Sequence, residues 1–109
     1  MRKAEVYRNK ELAGVLIEDT PGHNYIFRYE NTYFANNDKP AISLTLPKIQ
    51  QEYHSEFLFP FFSNMLSEGA NRKLQSQLLK IDERDDFGIM LATAQYDTIG
   101  AVTVKPINN

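Results

Sequence analysis

Five apolar residues within 58–69, namely Leu58, Phe61, Phe62, Met65 and Leu66, fall at the i, i+3, i+4, i+7, i+8 spacing of a single helical face. This spacing predicts a helix over 58–69. Pro60 is tolerated in a first turn, whose N–H groups have no intrahelical partner, and Gly69 offers the left-handed backbone that ends a helix. Upstream the patterns are those of strands and downstream mostly those of helices, so this element is expected to join two layers of one core.

Residues 3–8 and 12–18 read as two strands joined at Asn9-Lys10. Asn tolerates the positive φ of a tight hairpin turn, and Lys does so less readily than Gly. Thr20, Pro21, Gly22, His23 and Asn24 form a run of turn residues. After it Tyr25, Phe27 and Tyr29 share one face and Ile26, Arg28 and Glu30 the other, the period-2 pattern of a half-buried strand. Residues 36–40 are a polar loop, and Ile42, Leu44 and Leu46 then alternate with Ser43 and Thr45, which predicts a fourth strand stopped by Pro47. Residues 48–56 lack either period and are expected to be an exposed loop.

Beyond Gly69 the pattern predicts a second helix over 70–80 with Leu74, Leu78 and Ile81 on its inner side. A third carries Phe87, Met90, Leu91 and Ala94 at helical spacing, with Asp85 or Asp86 placed to cap it. Residues 100–105 read as a last strand closed by Pro106. The expected fold is α+β: a small, mostly antiparallel sheet of four or five strands packed with a three-helix cluster, in one domain over 1–109.

A chain of 109 residues buries roughly two thirds of the surface its unfolded form exposes, and 7 Phe and 6 Tyr supply bulk for its core. The net charge of −2, from 12 basic and 14 acidic residues, disfavours direct capture of nucleic acid, so contact with DNA would be indirect, through a partner. Without cysteine there is no disulfide, thiolate nucleophile or sulfur-ligated metal. The polar start, Met1 to Arg8, lacks the apolar segment of a secretory signal, and no run is long enough to cross a bilayer. A cytoplasmic location is expected.

Asp86-Phe87-Gly88 spells the magnesium-binding tripeptide of protein kinases, but no Gly-rich loop, strand lysine or His-Arg-Asp loop accompanies it. It reads as a helix cap followed by a core aromatic. Glu52, His54 and Glu56 alternate, yet nothing supplies a fourth metal ligand, and His23 reads as a turn surface residue. Ser63 and Ser67 have neither a histidine nearby in sequence nor a nucleophile elbow. Arg72, Lys73, Lys80 and Arg84 read as a solvated basic face. No catalytic, cofactor-binding or metal residue is assigned.

The order of motifs resembles the N-terminal subdomain of HipA-type toxin kinases. The matching pieces are Val6-Tyr7-Arg8-Asn9 with Leu12-Ala13-Gly14, Tyr25-Ile26-Phe27-Arg28-Tyr29, and Ile42-Ser43-Leu44-Thr45-Leu46-Pro47. They continue through Pro60-Phe61-Phe62 to Glu68-Gly69, Asp86-Phe87, and Asp97-Thr98-Ile99-Gly100-Ala101-Val102. The chain departs from the family pattern at Lys10, usually Gly, at Ser67, usually Pro, and at Ala70, often a bulky aromatic.

The resemblance implies a non-catalytic, HipS-like antitoxin that docks on and restrains a separate HipT- or HipA-like serine/threonine kinase, which holds the ATP-binding and phosphoryl-transfer residues. It also implies a HipB-like helix-turn-helix partner that binds operator DNA. The alternative role is a structural subunit that completes a split kinase. With the apolar stripe of 58–69 facing inward, the polar helix junction faces out, so the expected partner-binding residues are Asn64, Ser67, Glu68, Gly69, Ala70, Asn71 and Arg72.

Overall fold

The computed structural model describes residues 1–66, 69–93 and 101–107, and the side chains of Gly69 and Ala70 lie outside that description. Strands β1 (Arg2–Arg8), β2 (Glu11–Thr20), β3 (His23–Tyr29), β4 (Glu52–Ser55) and β5 (Val102–Pro106) form one antiparallel sheet in the order β4-β3-β2-β1-β5. Helices α1 (Asn31–Ala35), α2 (Pro60–Ser63), α3 (Gly69–Leu79) and α4 (Asp86–Thr93) complete the α+β fold. Helix α4 packs against β5, α2 and α3, and α1 packs against β2.

The first three strands follow the sequence pattern. At the β1–β2 turn Asn9 and Lys10 have φ of 50° and 66°, the paired left-handed residues of a tight hairpin. A lysine there bears a steric cost that glycine lacks. Lys10→Gly is therefore expected to raise the unfolding free energy by about 1 kcal/mol, read as a higher urea midpoint at unchanged m.

Strand register stacks the inward residues into three rows across the sheet. Tyr29, Gly14, Val6 and Val104 make one row, and Phe27, Leu16 and Ala4 make the next. The third row is Tyr25, Glu18 and Arg2, so an apolar face ends in a polar one. A bulge opposite Val6 and Tyr7 shifts the β2 period, so that Ala13 and Gly14 are both buried and the Ala13 carbonyl accepts the Glu30 N–H at 2.8 Å. Glu30 in turn caps α1, its carboxylate accepting from the N–H groups of Thr32 and Tyr33 at 3.1 and 2.9 Å. Those two bonds hold the exposed Glu30 carboxyl below its usual pKa range. Glutamate is not a preferred cap residue, which is why the sequence pattern gave no signal for α1.

Three expectations need correction. Residues 42–46 form no strand, and Leu44 is 98% exposed while Ile42 and Leu46 are buried. The segment is bent by turn bonds from the Thr45 N–H to the Ser43 hydroxyl and from the Leu46 N–H to the Ser43 carbonyl, both 3.1 Å. The buried Tyr29 hydroxyl holds both ends, accepting the Ile42 N–H at 3.1 Å and donating to the Leu46 carbonyl. Burial pushes the Tyr29 phenol up to about 12, so it stays a donor across the neutral range. Tyr29→Phe is expected to cost about 2 kcal/mol, because a buried N–H and a buried carbonyl both lose their partner. Unchanged thermal stability would contradict this.

The free edge of β3 is taken instead by β4, within the stretch 48–56 expected to be a loop. Tyr53 packs partly against the core there, between the exposed Glu52 and His54. The long helix over 58–69 is also absent as such. Helix α2 has four residues and runs on into tighter turns, with Met65 and Leu66 donating to the carbonyls of Phe62 and Ser63, both at 3.1 Å. Phe62 and Leu66 nevertheless reach the core, joined by Phe59.

Candidate partner-docking surface

The joint between α2 and α3 presents some of the expected contact residues. Asn64 and Asn71 are exposed, whereas Ser67 and Glu68 lie outside the described residues. Gly69 and Ala70 contribute backbone to the first turn of α3. Arg72 points inward: its Nε donates to the Glu83 carbonyl at 2.8 Å and its guanidinium pairs with Asp86. It pins α3 to the start of α4.

That pin sets how α3 lies. Ser76 donates its hydroxyl to the Ile81 carbonyl, and the Ile81 N–H donates to the Ser76 carbonyl at 3.0 Å, closing the helix with Lys80 in the left-handed region at φ 57°. Ile81 packs against the core as its spacing predicts. Leu74 and Leu78, expected on the inner side, are 54% and 73% exposed. The surface that receives α3 includes the Glu83 carbonyl and the Asp86 carboxylate, so it takes the Arg72 side of the helix and turns the leucines out.

A second polar anchor, missed in the sequence, fastens α4 to the sheet. Glu18 is 1% exposed. It accepts from Arg2 Nε at 2.8 Å, the Tyr25 hydroxyl at 2.9 Å and the Gly22 N–H at 3.2 Å. Arg2 also grips Asp85 through both terminal nitrogens, at 3.0 and 2.7 Å, and lies 5.2 Å from the centre of the buried Phe87 ring. Arg2 holds the Asp85 carboxyl below the usual range, with help from the Gly88 N–H at 3.1 Å. Burial and the Glu18 carboxylate push the Tyr25 phenol well up. The signal for this network was Glu18 standing at an inward position two residues after Leu16; a charge there needs a partner, though pattern alone does not say which.

Asp85 is the cap of α4, the first of the two expected possibilities, and Asp86 is the residue paired with Arg72. A Cβ at Gly88 would sit 2.2 Å from Asp85 Oδ2, so the glycine of this tripeptide makes room for the cap. Phe87 is buried in the core, as expected. On β4, His54 and Glu52 lie 2.7 Å apart on the exposed side, which holds the Glu52 carboxyl below its usual range. The cleft beside the Arg2 network, about 680 Å³, is lined by carboxylates and guanidiniums already joined to each other, Arg2 to Asp85 and Arg84 to Asp82. No helix among the described residues is long and apolar enough to cross a membrane.

The arrangement is thus a sheet with a polar-pinned helical layer that offers exposed polar and apolar side chains. Comparisons place it among known proteins. It is similar to the solved N-terminal domain of HipA toxin, with 26% identity and a TM-score of 0.73 over 100% of this chain and 95% of that one. It is also 29% identical over 105 residues to an uncharacterized protein of Haemophilus influenzae, covering 96% of this chain and 92% of that protein. Residues 4–105 match the family described as HipA N-terminal domain, and the chain belongs to that family.

Proposed function

We propose that this protein is a non-catalytic, HipS-like antitoxin subunit that binds and restrains a separately encoded HipA- or HipT-like serine/threonine kinase. The observation that carries the reading is the likeness to the N-terminal domain of HipA toxin, which extends across this whole chain and nearly all of that one. The kinase contributes the nucleotide and the catalytic groups, and this chain contributes a surface. A HipB-like helix-turn-helix protein is the proposed third component, and DNA is reached through it. The proposed location is the cytoplasm, and no cofactor is assigned.

The proposed contact begins at the α2–α3 junction, with Asn64, Ser67, Glu68, Gly69, Ala70, Asn71 and Arg72. A complex of standard size buries about 1,600 Å² in total, more than these residues alone supply. Arg72 already serves α3 through Asp86 and Glu83, so its part in binding is to hold the helix in place.

The likeness is to a part of the toxin itself, which equally favours a second role: completing a split kinase and aiding its binding of substrate or of the HipB-like partner. Adding the purified protein to the isolated kinase separates the two. Phosphorylation falls if the protein restrains the kinase and rises if it completes it. No change in either direction, with no complex on gel filtration, would remove both.

A further inference from the structure

Helix α3 turns two of its leucines to water. Its inner side carries Arg72 and Ser76, both held by hydrogen bonds to the segment 81–86, while Leu74 and Leu78 stand one turn apart on the water side. Single exposed leucines are ordinary on protein surfaces. A pair at i, i+4 on a helix that turns Arg72 and Ser76 inward is not explained by packing among the described residues. The bonds from Arg72 to Glu83 and Asp86, with Ile81 seated against the core just past the helix end, fix the helix's rotation about its axis, so the leucines are held outward and cannot roll under without breaking those bonds.

We propose that Leu74 and Leu78 are the apolar anchors by which this protein docks, α3 lying in an apolar groove with an acidic rim on the kinase partner. This rests on the proposed function and moves the centre of the interface one to two turns along α3 from the α2–α3 junction. Charge argues for the rim: between 71 and 80 the helix and its cap expose two cations, Lys73 and Lys80, and no anion. The chain as a whole carries −2, so this is a local basic stripe on an acidic protein, suited to a protein groove more than to a phosphate backbone. Two leucines at this spacing are the reading heads of helix-in-groove recognition.

The test is binding of the purified HipT-like kinase of the native host to the wild type, to the double variant Leu74→Gln with Leu78→Gln, and to Lys73→Glu. Glutamine keeps helix propensity and charge, and neither leucine packs in the core, so the double variant should unfold at the wild-type temperature. It is expected to bind at least about 30-fold more weakly, the scale of losing a central anchor. Lys73→Glu is expected to weaken binding by a smaller factor and to reduce its salt dependence. Equal affinity of the wild type and the double variant would overturn this assignment while leaving the proposed function intact. If the wild type binds no kinase, the proposed function itself fails. A concentration-dependent dimer of the wild type that the double variant abolishes would assign the face to a second copy of this chain and overturn the kinase groove.

Discussion

Phe27→Ala is expected to lower the unfolding free energy by about 4 kcal/mol, a large part of what a domain of this size holds. Phe27 is fully buried on β3 at the middle row of the sheet, opposite Leu16. Its ring stands edge-on to Tyr29 at 4.8 Å and 81°, and it meets Phe62 of α2 at 5.8 Å. It is therefore one of the contacts, with Tyr25 on Phe87, through which sheet and helical layer share one core. Gly14 fixes the shape of the site, because a Cβ there would fall 2.5 Å from the Arg28 carbonyl and 2.8 Å from Phe27 Cζ. Strands β1 to β3 are tied by ladder hydrogen bonds and cannot collapse onto the void, so the cavity penalty adds to the lost transfer energy. Urea denaturation followed by far-ultraviolet circular dichroism reads the change. A loss below about 1 kcal/mol would place the centre of the core elsewhere.

The second large effect is expected from Arg2→Met, which keeps the length and apolar stem of the side chain and removes the cation. Glu18 is then left as a buried carboxylate with only Tyr25 and the Gly22 N–H as partners, and Asp85 loses a two-pronged donor. Breaking a fully buried pair costs more, but the Arg2 side chain is 37% exposed, so solvent screening brings the expected loss to about 3 kcal/mol at neutral pH. The pH dependence gives a sharper check. Asp85 has a folded pKa held below its unfolded value, so its contribution is present above about pH 4 and is lost as the pH falls through the folded value. The variant lacks that contribution. The gap between wild type and variant should therefore be full at pH 6 to 7 and narrow steadily on the acid side of about pH 4. A gap independent of pH would mean that packing on Phe87, and not the carboxylates, explains the effect.

Consequences of these anchors reach the proposed interface. Arg2 ties the start of α4 to the sheet through Asp85 and Glu18, and Arg72 ties α3 to the same start of α4 through Asp86. Two adjacent aspartates thus position a helix that has little apolar contact of its own. The sheet-facing half of the molecule is stabilised by burial, which is non-directional, while the orientation of α3 depends on hydrogen-bond geometry, which is directional. Orientation is what a docking helix requires.

Much of the fold was legible because one face of each long strand is buried. Alternation over 25–30 put Tyr25, Phe27 and Tyr29 on one face, which is the buried face of β3, and helical spacing located α3 to within a residue at each end and placed Phe87 and Met90 of α4 in the core. The same reasoning failed at 42–46, where Ile42, Leu44 and Leu46 alternate as a strand would. Pattern records which residues are greasy, but the Tyr29 hydroxyl, 13 residues earlier than Ile42, decides where that backbone's polar groups go. Over 58–69 helical spacing marks the apolar residues that turn inward but not the length of the helix, because turns of different pitch can bury much the same set.

The candidate surface was half legible. A polar helix junction was expected to face out, and Asn64 and Asn71 do. Spacing predicts Leu74 and Leu78 inward and they face out, because spacing locates a helix's inner side only where its greasy side meets a greasy neighbour. From the residues alone came the antiparallel hairpins, the aromatic core and the resemblance to a family, each resting on local periodicity or on short runs of sequence. Tertiary structure alone decided which strand takes the free edge, which aspartate caps α4 and which way α3 faces. Those outcomes turn on particular hydrogen bonds, from Arg72 to Glu83 and Asp86, from Arg2 to Asp85 and along the β3–β4 ladder, and no period within a chain records them.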